Sequence, residues 1–146
     1  MIRPYPPVND ITTSPEAPPQ FFVPGRSRAG ARLDRAAARA HQAFYADLAP
    51  LVLAASAARV FTQVEVLARR QWTDVVAEPD TWRLQAIAVT PLLRFRDDVV
   101  VELRAVQGGS CEVHMRSKSR LGRGDLGANA KRIRAFLAQL KRAFMV

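Results

Sequence analysis

The 146-residue chain predicts an α+β fold, a single antiparallel sheet of about four strands in a meander with two main helices packed on one face. Three observations carry that expectation. Four strand-like runs between Thr73 and Arg116 are joined by short turns, and short turns make neighbouring strands antiparallel. One amphipathic helical stretch precedes them and another follows. A single sheet must cover its apolar face, and two such helices suffice.

The N-terminal region, residues 1–44, is expected to be an extended arm. Seven of the ten prolines fall between Pro4 and Pro24, and proline fixes φ and donates no backbone hydrogen bond. Phe21, Phe22 and Val23 suggest that this arm docks on the body. The Ala- and Arg-rich stretch from Ala31 to Phe44 has the propensity for a short helix.

The body is expected over residues 45–146. Ser56 caps a helix running to about Gln71, with Val60, Phe61, Val64, Leu67 and Ala68 on one arc. The strands follow as Thr73 to Ala77, Trp82 to Thr90 with a continuation at Leu92 to Phe95, Val99 to Val106, and Ser110 to Arg116. Asp97-Asp98 and Gly108-Gly109 read as the last two turns. The closing helix takes Asp125 as N-cap and Leu126, Ala130, Ile133, Leu137, Leu140 and Phe144 as its apolar stripe.

Composition narrows the function classes. A content of 49% hydrophobic residues fits one folded domain with a real core. No apolar run is long enough to span a bilayer, and the first residues lack the apolar centre of a signal peptide, so the chain as written reads as cytoplasmic. Cys111 is the sole cysteine, which excludes an intrachain disulfide and a thiolate metal cage. The net charge is +9, and most of it lies beyond Val113, where nine Lys and Arg face a single acid, Asp125. A field of that sign attracts phosphates, anionic lipid headgroups, acidic proteins or nucleic acid.

The densest chemistry lies at the join of the last strand and the closing helix, from Arg116 to Arg132. Arg116, Arg120 and Arg132 supply charge there, and Ser117 and Ser119 supply hydroxyls. Asn129, on the border of the apolar stripe, must find partners for its amide if it is buried. Arg132 lies one turn further on the same flank, within reach of Asp97, Asp98 or Asp125. These six residues, Arg116, Ser117, Ser119, Arg120, Asn129 and Arg132, form the expected ligand-binding set. Gly122, Gly127, Asp125 and Asp98 are expected to shape and hold the loop. The glycines permit close backbone approach, and a helix start offers free N–H groups to an anion. The segment is not a P-loop, because the Gly-Lys-Ser/Thr ending is missing.

Several stretches in this order resemble one bacterial family. They are Asn9 to Thr13 with Pro18 to Phe21, Tyr45 to Leu51, Phe95 to Val101 and, most specific, Ser119 to Leu137. Together they are similar to domain-of-unknown-function family 1499, whose members also occur in cyanobacteria and plastids. The resemblance implies no assigned activity. It does imply that similar proteins often carry hydrophobic helices ahead of this domain, so a membrane-associated setting is expected if such a segment precedes the chain. His114 and Ala46 depart from the family pattern, which has an acid and a proline there.

Other chemistries find less support. Adjacent strand residues point to opposite faces, so Asp97 and Asp98 do not meet one metal, and the two histidines lack ligand spacing. No catalytic residues, metal or cofactor are expected. Gly-x-Ser-x-Gly is absent, and Cys111 falls on the apolar face. The expected function is a non-catalytic binding or accessory domain that engages an anionic small molecule, an anionic lipid surface or an acidic protein through residues 116–132. The alternatives are an enzyme of unknown reaction type using the same cluster with Asp98 as acid or base, and a nucleic-acid binder, which the missing aromatic platform disfavours.

Overall fold

The computed structural model describes residues 5–27, 32–122 and 124–145. Arg123 of the basic loop and Ala31, the expected start of the first helix, lie outside them. The order is β1 (Asp10–Thr12), α1 (Arg35–Phe44), β2 (Leu51–Leu53), α2 (Ala57–Gln71) and β3 (Thr73–Glu78), then a 3-10 turn (Pro79–Thr81), β4 (Arg83–Val89), β5 (Arg96–Val106), β6 (Ser110–Ser119) and α3 (Ala128–Ala143).

The sheet has six strands where about four were expected. Strands β3 to β6 form the predicted meander. Two three-residue strands then pair antiparallel with the outer edge of β6, β1 at Arg116 to Lys118 and β2 at Cys111 to Val113. They lie end to end and cover an edge that would otherwise expose unpaired backbone groups.

The helices grow from local chemistry. Asp34 caps α1 by accepting from the Ala37 amide, and Ser56 caps α2 by accepting from the Arg59 amide. Helix α2 buries Val60, Phe61, Val64 and Ala68, and α3 buries Ala130, Ile133, Phe136 and Leu140. Both pack on the sheet face that carries Leu84, Ala86, Val99, Val101, Leu103, Cys111, Val113 and Met115. Trp72 stacks on Phe136 at 4.7 Å between ring centroids, closing this core. Ile11, Ala37 and Ala40 from the N-terminal region join the same cluster.

The opposite face of the sheet is covered by residues 13–27. Gln85 Oε1 accepts from the amides of Phe22 and Val23, Arg116 Nη1 donates to the Pro19 carbonyl, and Arg104 Nη2 donates to that of Ala17. Phe21, 1% exposed, lies beneath the Arg116 guanidinium at 5.0 Å.

Three local expectations need correction. Leu92 to Phe95 does not extend a strand. It is a tight turn in which the Thr90 carbonyl accepts from the Arg94 amide, with Arg94 at φ 58°. Asp97 and Asp98 are not a turn but the start of β5, both buried, because arginines from distant segments meet them. Helix α3 starts at Ala128 behind Gly127 (φ 80°), so Leu126 sits outside it at 80% exposure and is no part of the stripe. Asp125 still serves the helix start: its carboxylate accepts from the amides of Gly127 and Asn129.

Candidate functional site

The register of β6 decides the site. Ser117 and Ser119 point to the helix side of the sheet, and Arg116 and Lys118 to the other side. The six residues expected to converge are therefore split between two faces.

On the helix side, Asn129 is fully buried and completely bonded. Its Oδ1 accepts from Ser117 Oγ at 2.6 Å and from Arg132 Nη1 at 2.8 Å. Its Nδ2 donates to Ser119 Oγ at 2.9 Å and to Asp125 Oδ2 at 2.8 Å, and reaches the Asn9 carbonyl at 3.3 Å. A network satisfied to this degree locks the loop to α3 and leaves Asn129 no free hydrogen-bonding site. Arg132 also donates to Ser117 Oγ at 3.0 Å and lies 2.9 Å from Asp97 Oδ2. That last contact is a charge pair without an aligned hydrogen bond, since Nη1 is committed to Ser117 and Asn129. Burial pushes the Asp97 carboxyl above its ordinary range, and the nearby Arg132 only partly offsets this.

On the other side, Arg116 is wholly buried and bonded to Asp10. Arg120 makes two bonds to Asp98, from Nε at 3.0 Å and Nη2 at 2.8 Å, and Ser27 donates to the same carboxylate from its amide and hydroxyl. Burial alone would raise the Asp98 pKa, but the bonds from Arg120 and Ser27 outweigh it and hold it below the usual value. Each of the three arginines in the expected binding set thus faces an acid of its own: Arg116 with Asp10, Arg120 with Asp98, Arg132 with Asp97.

Two cavities share lining residues at the end of β6. The first is a small pocket of about 270 Å3 lined by Gly25, Arg26, Ser27, Lys118, Ser119 and Arg120. Among the described residues the buried Arg26 Nη1 atom has no hydrogen-bond partner, and neither Arg26 nor Lys118 pairs with an acid. The second is an open, mainly apolar groove of about 770 Å3 between the turn at 90–96 and the loop at 119–128. Leu92, Leu93, Phe95, Leu121 and Leu126 wall it, with Asp97 and Ser119 also in its lining. Ser119 and Arg120 border both cavities.

Of the expected binding set, Ser119 and Arg120 line these two cavities, and Arg116, Ser117, Asn129 and Arg132 do not. Sequence reasoning missed Arg26, which lies far from the basic loop, and the groove leucines. Leu121 and Leu126 did carry a signal, as apolar residues inside an otherwise polar segment. Reasoning also missed Ser14. Its hydroxyl lies 2.5 Å from His114 Nδ1, and His114 Nε2 lies 3.1 Å from Glu112 Oε1. The order matches a nucleophile, base and acid, but around Ser14 two of the nearby amides are already bonded and a third position has none to offer. The Ser14 amide is bonded to Thr12 Oγ1, the Ala17 amide to the Ser14 carbonyl, and Pro15 has no N–H. The chain of bonds fastens the N-terminal segment to β6.

Cys111 is buried and its thiol is pushed up by desolvation, which makes it unreactive. Among the described residues no group of three His, Cys, Asp or Glu is placed to hold a metal ion, and no helix is long and apolar enough to cross a membrane.

The family model described as "Protein of unknown function (DUF1499)" matches residues 10–140. That match spans most of the chain, and the chain belongs to this family. No curated protein matches it.

Proposed function

We propose that this DUF1499 protein is a non-catalytic binding domain for an amphiphile with an anionic head. The head, a phosphate or carboxylate, sits in the pocket of Arg26, Lys118 and Arg120, and the apolar chain lies along the groove walled by Leu92, Leu93, Phe95, Leu121 and Leu126. The observation that carries this reading is the pocket that brings Arg26, Lys118 and Arg120 together, where neither Arg26 nor Lys118 pairs with an acid among the described residues. Cations that line one pocket without an acid of their own favour an anionic group there, through charge-assisted hydrogen bonds. Arg120, bordering both cavities, holds the junction of head and chain.

The reading keeps the anionic ligand expected from the sequence and moves its contacts. Arg116, Ser117, Asn129 and Arg132 become the frame that fixes the end of β6, while Arg26 and Lys118 take the direct role.

Calorimetric titration with dodecyl phosphate tests it, with inorganic phosphate and dodecanol as controls. Dodecyl phosphate binds more tightly than either control, and Lys118→Ala and Arg26→Ala each weaken it roughly tenfold, the worth of one charge-assisted contact. Equal affinity in the wild type and both variants sinks the proposal.

A further inference from the structure

The groove walls are also among the most exposed apolar side chains of the molecule. Leu92 is 93% exposed, Leu126 80%, Leu121 71% and Leu93 70%. They sit on two separate loops that flank one groove at one end of the sheet. Solitary exposed leucines are ordinary, but four on facing loops form a patch, and such patches mark interaction surfaces. Both loops hold a non-glycine residue in the left-handed region, Arg94 at φ 58° and Leu126 at φ 52°.

Charge selects the occupant. Arg94, Arg96 and Arg120 lie among the leucines, with Arg26 and Lys118 in the adjoining pocket. Arg94 pairs with no acid among the described residues, and Arg96 makes only an exposed contact with Asp74. Leucines at the tip with arginines around them match an anionic bilayer interface, where apolar side chains enter the acyl boundary and guanidiniums meet phosphates. A second copy of the chain would set these same cations against themselves.

We infer that this end of the domain docks on anionic lipid surfaces by inserting Leu92, Leu93, Leu121 and Leu126, and so meets its amphiphile at the membrane interface. The inference rests on the amphiphile reading of the groove and names the source of that ligand.

Vesicle flotation is the test, with mixed phosphatidylglycerol–phosphatidylcholine vesicles against phosphatidylcholine alone. The wild type floats with the anionic vesicles only, and the Leu92→Ser/Leu93→Ser variant loses about tenfold in vesicle affinity. These side chains are exposed, so the variant keeps its fold. A Leu92→Cys variant carrying a polarity-sensitive dye gives the second readout, because Cys111 is buried and escapes labelling. A blue shift on anionic vesicles supports insertion. Vesicle binding without the shift is adsorption by charge alone and overturns the inference, as does no binding, or a dye buried in a dimer before lipid is added. Dodecyl phosphate binding without vesicle binding would overturn it while leaving the amphiphile reading intact.

Discussion

Arg116 and Asp10 form a two-point ion pair beneath the N-terminal segment, Nε to Oδ1 at 2.9 Å and Nη2 to Oδ2 at 2.7 Å, with the guanidinium wholly buried. The pair joins β1 to β6 in addition to their backbone ladder. Breaking it from one side leaves a buried charge. Asp10→Ala is expected to lower stability by about 3–5 kcal/mol, and the double variant Asp10→Leu/Arg116→Met to recover much of that loss. Urea denaturation checks both. A loss under about 1 kcal/mol for Asp10→Ala would show that water reaches the guanidinium.

Asn129 holds four segments together: β6 through Ser117 and Ser119, the loop through Asp125, its own helix through Arg132, and the N-terminal segment through the Asn9 carbonyl. Asn129→Ala orphans several of these groups at once and is expected to cost about 3 kcal/mol. Asn129→Asp should cost more, because it places a carboxylate against Asp125 and turns two donors into acceptors. Thermal unfolding of the two variants gives the order, and finding Asn129→Asp the more stable of the pair would refute the network's role.

These two residues also show what the sequence made legible. Asn129 announced itself as a polar residue on an apolar stripe, a local mismatch that periodicity detects. The split of the arginines was within reach too, since alternation along β6 separates Arg116 from Ser117, but only once the strand is carried to Ser119. The short strands were not legible: three residues hold too little alternation to register, and β1 and β2 exist because β6 offers them an edge. Asp97 and Asp98 looked like a turn because local propensity was the only information. Their burial depends on Arg120 and Arg132, which are distant in sequence.

His114 links stability to pH. It is 5% exposed, and desolvation holds its pKa below 6.5, against the opposing pull of Glu112. Arg104 also disfavours the charged ring, and Glu102 favours it. The depressed value means the unfolded chain takes up a proton near pH 6.5 while the folded ring stays neutral. Its stabilising contribution is present above pH 6.5 and is lost as the pH falls through the folded-state value. Wild-type stability should therefore drop between pH 7.5 and pH 5, with the amide-exchange protection factors of Ser14 and the N-terminal segment, corrected for the intrinsic pH dependence of exchange, falling at the lower pH. A His114→Asn variant should flatten that dependence, and an unchanged slope would rule the histidine out.

Asp97 and Asp98 are neighbours with opposite shifts, and the pH dependence of two variants separates them. For Asp97 burial wins over Arg132 and the pKa is raised, so its favourable share is present below pH 3.8 and is lost as the pH rises through the folded value. For Asp98 burial loses to Arg120 and Ser27 and the pKa is lowered, so its contribution is present above pH 3.8 and is lost as the pH falls through the folded value. Asp98→Asn should cost about 1.5–3 kcal/mol at pH 7, the range for hydrogen bonds to a charged group, and progressively less toward pH 3. Asp97→Asn removes a carboxylate that is poorly solvated at neutral pH, and Arg132 keeps its bonds to Ser117 and Asn129. Its cost at pH 7 should be smaller than that of Asp98→Asn, and the gap between the two should widen from pH 4 to pH 7. Denaturant midpoints across that range measure the gap directly. Equal costs at every pH would mean that both carboxylates have the same solvation, against the geometry that places one under α3 and the other beside Ser27.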